Sequence, residues 1–386
     1  MNIAASGSPN GASPRRAGMS RRGLLGAAAL VNARSSAANS AITVGLLGSG
    51  SRGSLVAGFL TQTTGARLVA LCDLYEDRVE TAKRRIPVAN PAVYTDYRKL
   101  LESDVDAVII ATPIFLHPEH FEAAVAANKH IYIEKPAGVD VTGCKRVIRA
   151  AARAGRSRNI AFGFQARYGP GYHQAKQLLD SGGIGPLRMA HAHFIKGDVT
   201  GERGPVPRPR TEEERIRQWL RWRDTSGDVI VETYCHGIDV LNWFLGGHPL
   251  AAHGTGGRTI RRDGDNMDHV DVTFTYADNV QASLAGSQIA PPFYRSAMEQ
   301  FFGSSAVIET SRQYWTLHRE KVPPATQTIA GDITANAVSE FVRRIREQDP
   351  ENTAARSAES TLTAIMGRMA IDMKRRVNWD EMMQSG

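Results

Sequence analysis

The chain has 386 residues, more than one ordinary hydrophobic core organises and enough for two domains. Hydrophobic residues at 42% and charged residues at 22% are those of a globular protein, and no run approaches the roughly 18 apolar residues of a membrane span, so no stable membrane anchor is expected. Net charge is +8, but five arginines (Arg15, Arg16, Arg21, Arg22, Arg34) and no acid fall in residues 1–40; the remainder carries +3, which gives no reason to expect a nucleic-acid partner.

Within that leader, Ser20-Arg21-Arg22-Gly23-Leu24-Leu25 opens a short apolar run that ends at Val31. It resembles a twin-arginine signal, an address read by the Tat export machinery for proteins exported already folded. Small residues at Ser36-Ala37-Ala38 suit a cleavage site. The expectation is a periplasmic or otherwise exported protein; a leader that is only a disordered basic tail would leave it cytoplasmic.

From Ala41 onward, short β-branched runs alternate with helical patterns. Ile42–Leu47, Leu68–Asp73, Ala107–Thr112 and Ile131–Glu134 read as buried strands, each brief, apolar and bounded by Gly, Asp or Pro. Helical patterns fill Gly53–Thr63, Glu76–Arg85, Asp96–Glu102, Pro118–Lys129 and Val141–Ala154, and Asn159–Phe164 reads as a last strand. This alternation predicts a parallel sheet with helices on both faces over residues 41–164.

Over residues 165–386 the pattern changes. Leu187–Lys196 is a strand candidate; Val270, Val272, Phe274 and Tyr276 alternate with polar residues, and after Asp278-Asn279 so do Val280, Ala282 and Leu284. That is an antiparallel hairpin with one buried face. The expected fold is therefore α/β: a doubly wound first domain, then an α/β domain with an open, mainly antiparallel sheet. Gly201–Arg223 reads as a long loop with a short helix lying over a cleft, and helices over Asn336–Glu347 and Ser357–Arg376 close the chain.

The first strand runs into Gly48-Ser49-Gly50-Ser51-Arg52-Gly53, and a helix follows at once. Glycines in this place permit a tight turn and close approach to a pyrophosphate, while the helix start supplies free amides. Twenty residues past Gly53, Asp73 ends the second strand. A carboxylate there accepts hydrogen bonds from adenosine ribose hydroxyls and repels a 2′-phosphate, which favours NAD over NADP.

"IYIEKPAG" places Glu134 and Lys135 at the C-terminal end of a buried strand, where open α/β sheets carry ligands. Lys135 there is either a substrate-binding or proton-transferring group or a surface lysine paired with Glu134. In "DVIVETYCHGIDVLNWFLGG", read as one helix, Glu232, His236, Asp239 and Trp243 form a single stripe. A carboxylate one turn from His236 would raise its basicity and fix its tautomer, as suits a proton acceptor. No third ligand has metal-site spacing, and the three widely spaced cysteines suggest neither zinc nor a disulfide framework.

GSGSRG, "CDLYEDR", "ATPIFLHPEH", "EKPAG", "GFQARYGP" and Glu232-x-x-x-His236 occur in the order seen in the Gfo/Idh/MocA oxidoreductases, which the chain resembles from Ile42 to its C-terminus. The resemblance implies a Rossmann domain binding NAD, a C-terminal domain whose sheet often forms an oligomer interface, and a carbohydrate substrate. It implies Lys135 and His236 as catalytic residues. Thr112, Pro113, His117, Glu134, Lys135 and Gln165 would join the Gly48–Gly53 turn and Asp73 around the cofactor. Arg167, Tyr168, Trp222, Arg223, Glu232 and Asp239 would face substrate. Glu232 stands where the family more usually has aspartate, and Asp228 replaces a family glycine.

The implied activity is hydride transfer between NAD and a sugar, polyol or sugar derivative, with Lys135 and His236 assisting proton transfer. Export of a folded protein would favour tightly retained NAD. Two other readings remain open at this point: an NAD-using glycoside hydrolase working by oxidation, elimination and reduction with no net redox change, and a non-catalytic NAD-binding sensor.

Overall fold

A computed structural model describes residues 41–199 and 204–386; the leader with its twin arginines and residues 200–203 lie outside them. The strands β1 (Ile42–Leu47), β2 (Ala66–Cys72), β3 (Ala92–Tyr94), β4 (Ala107–Ile110), β5 (His130–Ile133) and β6 (Ile160–Phe162) form one sheet in the order β3-β2-β1-β4-β5-β6. All its pairings are parallel. Every residue of β4, β5 and β6 is buried, as a sheet covered on both faces requires. Between the strands run α1 (Ser51–Gln62), α2 (Glu76–Arg85), α3 (Tyr97–Glu102), α4 (His117–Ala126) and α5 (Val141–Ala151). Asp140 caps α5 by accepting the Gly143 amide at 2.7 Å, which fixes where the chain leaves the EKPAG segment.

The second part adds α6 (Pro170–Asp180), β7 (Leu187–Lys196), α7 (Glu212–Arg217), α8 (Arg223–Ser226), α9 (Asp228–Glu232), α10 (Cys235–Leu245) and β8 (Ala251–Gly257). There follow β9 (His269–Thr275), β10 (Gln281–Ser287), β11 (Arg295–Gly303), β12 (Ala306–Thr310), β13 (Tyr314–Arg319) and β14 (Val322–Thr328). The chain closes with α11 (Ile333–Arg346), α12 (Ala354–Met373), β15 (Val377–Asn378) and α13 (Trp379–Gln384). These strands build a nine-stranded open sheet in the order β14-β13-β12-β11-β7-β10-β9-β8-β15. Its pairings are antiparallel except β10 with β7. The expected hairpin is β9–β10, with Thr275 opposite Gln281 and its turn residues Asp278 and Asn279 at positive φ. Among the described residues no helix is long and apolar enough to cross a membrane.

Two features differ from the sequence reading. Helix α11, late in the chain, buries Ala337, Val338, Phe341 and Val342 in one core with Val44 and Leu46 of β1 and Val56 and Leu60 of α1, so the first sheet is completed by residues far from it in sequence. The segment from Asp228 to Leu245 is two helices rather than one. At the break the Tyr234 amide donates to Val229 O at 3.1 Å, five residues back, and the Glu232 carbonyl accepts from Lys135 Nζ instead of continuing the ladder.

Candidate active site

The turn after β1 has the geometry of a dinucleotide cradle. Gly48 has φ +94°, and a Cβ there would stand 2.6 Å from Ala111 O; a Cβ on Gly53 would stand 2.0 Å from Gly48 O. Both positions accept only glycine. Gly50 faces open space, with no atom within 4 Å of a built Cβ, so the backbone of Ser49–Ser51 is free for a ligand to approach at the start of α1. Asp73 follows β2; its carboxylate accepts the amides of Ser49 at 2.8 Å and Tyr75 at 3.1 Å, which joins the glycine turn to the end of the second strand. Burial nevertheless raises the Asp73 pKa above the usual carboxylate value. Arg52 pairs with the buried Glu134 at 2.9 Å across the strand ends. Gln165 is buried in the 3-10 turn after β6, and its amide oxygen has no partner among the described residues. These residues fit a dinucleotide: an open glycine cradle, a carboxylate at the end of the second strand and a buried acceptor with no partner among the described residues.

His117 has a scaffolding place. Its Nδ1 lies 2.7 Å from Pro136 O and its Nε2 2.9 Å from Thr112 O, so the fully buried ring ties the turn after β4 to the EKP segment. Burial pushes its pKa down to about 4. The Thr112 hydroxyl is tied to His120 Nδ1 at 2.9 Å. Pro113 is half-buried between them in sequence and begins the same turn. Over this region lies α7: the Arg217 guanidinium stacks on Tyr75 at 3.9 Å and pairs with Asp77 at 3.0 Å, and Arg215 stacks on Phe115 at 4.3 Å. The loop expected to lie over a cleft thus bridges the turns after β2 and β4.

Lys135 is largely buried and pairs with Glu232, not with Glu134. Its Nζ donates to the carbonyl oxygen of Glu232 and to Glu232 Oε1 at 3.1 Å, and its side chain is only 12% exposed. Glu134 is held by Arg52 instead. Burial works against the Lys135 ammonium, but Glu232, Cys235 and Glu134 outweigh it and raise its pKa. Glu232 keeps its charge despite burial because Lys135 and the Thr233 hydroxyl, 2.5 Å from Oε2, hold its carboxylate. His236 therefore lacks the carboxylate partner expected from the i, i+4 spacing, since the helix break turns Glu232 toward Lys135. Burial and the cations Lys135, Arg312 and Arg52 push the His236 pKa well down and keep the ring neutral. Phe164 stands edge-on to that ring at 6.2 Å.

Beside this pair opens a cavity of about 380 Å³ whose lining includes Glu232, Thr233, Lys196, Arg261, Asn266 and Gln288. Lys196 ends β7 and Gln288 follows β10, so adjacent strand ends supply them; Arg261 and Asn266 come from the β8–β9 connection. Sequence spacing gives no sign of this grouping, because it depends on the order of strands in the sheet. Several sequence candidates lie elsewhere. Arg167 makes a fork to Asp239, with Nε at 2.9 and 3.0 Å from its two oxygens and Nη2 at 2.9 Å, and Asp239 is fully buried and also accepts from Ser360 Oγ at 2.7 Å. Arg167, Tyr168 and Trp243 line a second cavity of about 660 Å³ that shares no lining residue with the first. Trp222 is buried, and Arg223 is paired with Asp228 at 2.9 Å and Asp372 at 2.7 Å. Asp228 itself has φ +71°, the left-handed conformation a glycine would adopt freely, and its carboxylate is anchored by the amides of Val229 and Met267.

Residues 42–162 match the Gfo/Idh/MocA model described as an oxidoreductase family with an NAD-binding Rossmann fold, and residues 172–309 match the Gfo/Idh/MocA C-terminal domain. Inositol 2-dehydrogenase from Salmonella paratyphi B is 32% identical over 206 residues, 53% of this chain and 54% of that protein. Inositol 2-dehydrogenase 3 from Saccharopolyspora erythraea is 32% identical over 205 residues, with the same shares. The chain thus spans about half the length of these curated relatives. Levoglucosan dehydrogenase, solved in complex with NADH and levoglucosan, shares the fold with a TM-score of 0.74 over 87% of this chain and 99% of that one, at 18% identity. Scyllo-inositol dehydrogenase from Lactobacillus casei gives 0.69 over 88% and 98%, at 21% identity. With both family models matched in succession and both architectures present, the chain belongs to the Gfo/Idh/MocA family, an NAD-binding Rossmann domain followed by that family's C-terminal domain.

Proposed function

We propose that this protein is an NAD-dependent oxidoreductase that oxidises a secondary alcohol of a sugar, polyol or sugar derivative. The observation that carries the reading is the largely buried Lys135–Glu232 pair beside neutral His236, with Glu134, the residue before Lys135, paired to Arg52 of the glycine turn and Glu232 lining an open polar cavity. The cradle residues Gly48–Gly53 and Asp73 would hold NAD, which when bound supplies hydride acceptance. Lys135, kept as an ammonium, donates a hydrogen bond to the alcohol oxygen and stabilises negative charge developing there. Neutral His236 has a ring nitrogen able to accept the hydroxyl proton. The inositol 2-dehydrogenase relatives support a polyol or sugar as substrate.

The α7 strap over Tyr75 and Phe115 supports slow NAD release, which fits an exported protein that carries its cofactor through a folded-export route. The test is to load the protein with NAD and follow NADH formation with inositols, hexoses and levoglucosan. Lys135→Met and His236→Asn should each lower kcat by roughly 10²–10⁴-fold while NAD binding persists. Unchanged rates in both variants would remove the reading, and phenol release from nitrophenyl glycosides without net NADH would replace it with the glycoside hydrolase.

A further inference from the structure

We propose that the cavity beside Lys135 takes a carboxylate-bearing sugar, a hexuronate or aldonate, and that Arg261 reads the carboxylate. The proposal rests on the oxidoreductase reading for the reaction, but the cavity's charge and hydrogen bonding carry it independently. The lining side chains bring the cations Lys196, Arg261 and Arg262 against Asp198, Glu232 and Asp263. Among the described residues, adding Lys135, which lies against Glu232, gives the cations an excess of one. Glu232 is held by Lys135 and Thr233, and Asp198 is held by Lys196. Arg261 is held less tightly. Its side chain is only 12% exposed, its Nη2 donates to the neutral Gln288 Oε1 at 2.7 Å, and Asp263 stands 3.9 Å from Nε, beyond hydrogen-bond reach. The Nε itself is buried with no hydrogen-bond partner among the described residues.

A buried guanidinium with an unused donor is costly unless an acceptor arrives, and the best acceptor for its planar fork is a carboxylate. A neutral polyol offers hydroxyl oxygens but leaves the excess charge unbalanced. A phosphate monoester, at about two negative charges, would overshoot it. The loop that presents Arg261 is built to stay in place. The fully buried Asp268 carboxylate accepts the amides of Thr259, Ile260 and Arg261, each at 2.9–3.0 Å, so three successive backbone groups are fixed around one anion. Arg262 stands exposed at the rim, placed to draw an anion toward the opening.

The experiment is calorimetric titration of NAD-loaded protein with glucuronate, galacturonate, glucose and myo-inositol, alongside steady-state kinetics. A uronate should bind at least about tenfold more tightly than its matching hexose, the step expected for one charge-assisted hydrogen-bond pair. Arg261→Met should erase that preference by raising KM and Kd for the uronate far more than for the hexose. Gln288→Glu places an internal carboxylate on Arg261 Nη2 without removing the guanidinium; it should abolish the uronate preference in a protein whose thermal unfolding is otherwise retained. Equal binding of uronate and hexose by the parent protein, or a preference surviving in both variants, overturns the proposal. The NAD-loading step separates the two readings: failure to bind NAD removes the oxidoreductase, whereas the uronate-to-hexose ratio still decides the cavity.

Discussion

Lys135 sits under two opposing influences, burial that favours the neutral amine and the Glu232 carboxylate that favours the ammonium. Glu232→Gln keeps an acceptor for Nζ but removes the charge, so burial then prevails and the Lys135 pKa falls. The ammonium would be lost at a lower pH, and the alkaline limb of the kcat/KM profile should move down relative to the parent protein. A limb that stays in place would show that Lys135 does not set it. At this scale much of the site was legible. GSGSRG, Asp73 and Lys135 carry their meaning in contiguous residues, because a strand end and the turn after it are set by local sequence. The partnership of Glu232 with His236 was misread because i, i+4 spacing holds only in an unbroken helix. Arg261, Lys196 and Gln288 gave no signal, being joined only by the order β7-β10-β9-β8 in the sheet.

Among the elements, α10 is fastened at its middle by Asp239, which binds Arg167 after β6 and Ser360 on α12. Three segments of the chain therefore meet on one buried carboxylate. Arg167 and Asp239, assigned to substrate in the sequence reading, act here as a fastening, with Arg167 also lying over the Trp243 ring at 5.3 Å. Breaking a buried ion pair from one side leaves the other charge uncompensated, at a cost of about 3–5 kcal/mol. Asp239→Asn should thus lower Tm and the denaturant midpoint, with KM for substrate unchanged in the folded protein. A raised KM at unchanged Tm would return the pair to the substrate site. Helix positions and the hairpin were legible from periodicity, but which helix face holds structure and which holds ligand depends on partners from β6 and α12 that periodicity does not reveal.

Across the whole molecule, burial of titratable groups sets how stability follows pH. The change to an antiparallel sheet after residue 165 was legible from hydrophobic alternation, while the return of α11 to the first core was not, since an amphipathic helix does not say which sheet it covers. The cores so formed enclose His117, His120 and His130, whose pKa values burial lowers from 6.5 to about 4. Folding holds them neutral, so the unfolded chain binds more protons and stability falls as pH drops from about 6.5 toward 4. Glu299 acts in the opposite sense. Burial raises its pKa from 4.5 to about 7, so its contribution is whole below 4.5 and is lost as pH rises through 7. His191, His193 and His236 are lowered by burial in the same way, against the raised carboxylates of Asp73, Asp228, Glu299 and Glu359; the six histidines outnumber the four acids and make unfolding midpoints rise with pH between about 4.5 and 6.5. Glu299→Gln mimics the protonated acid and keeps an oxygen for the Thr310 hydroxyl, now 2.8 Å from Oε2. It should steepen the rise by up to about 1.4 kcal/mol per pH unit, the linkage of one proton, and make the variant more stable than the parent at pH 7 and above. Denaturant unfolding across that range measures both slopes; a variant that runs parallel to the parent would mean that Glu299 is ionised in the folded protein and that the core around Tyr172 and Thr310 tolerates its charge.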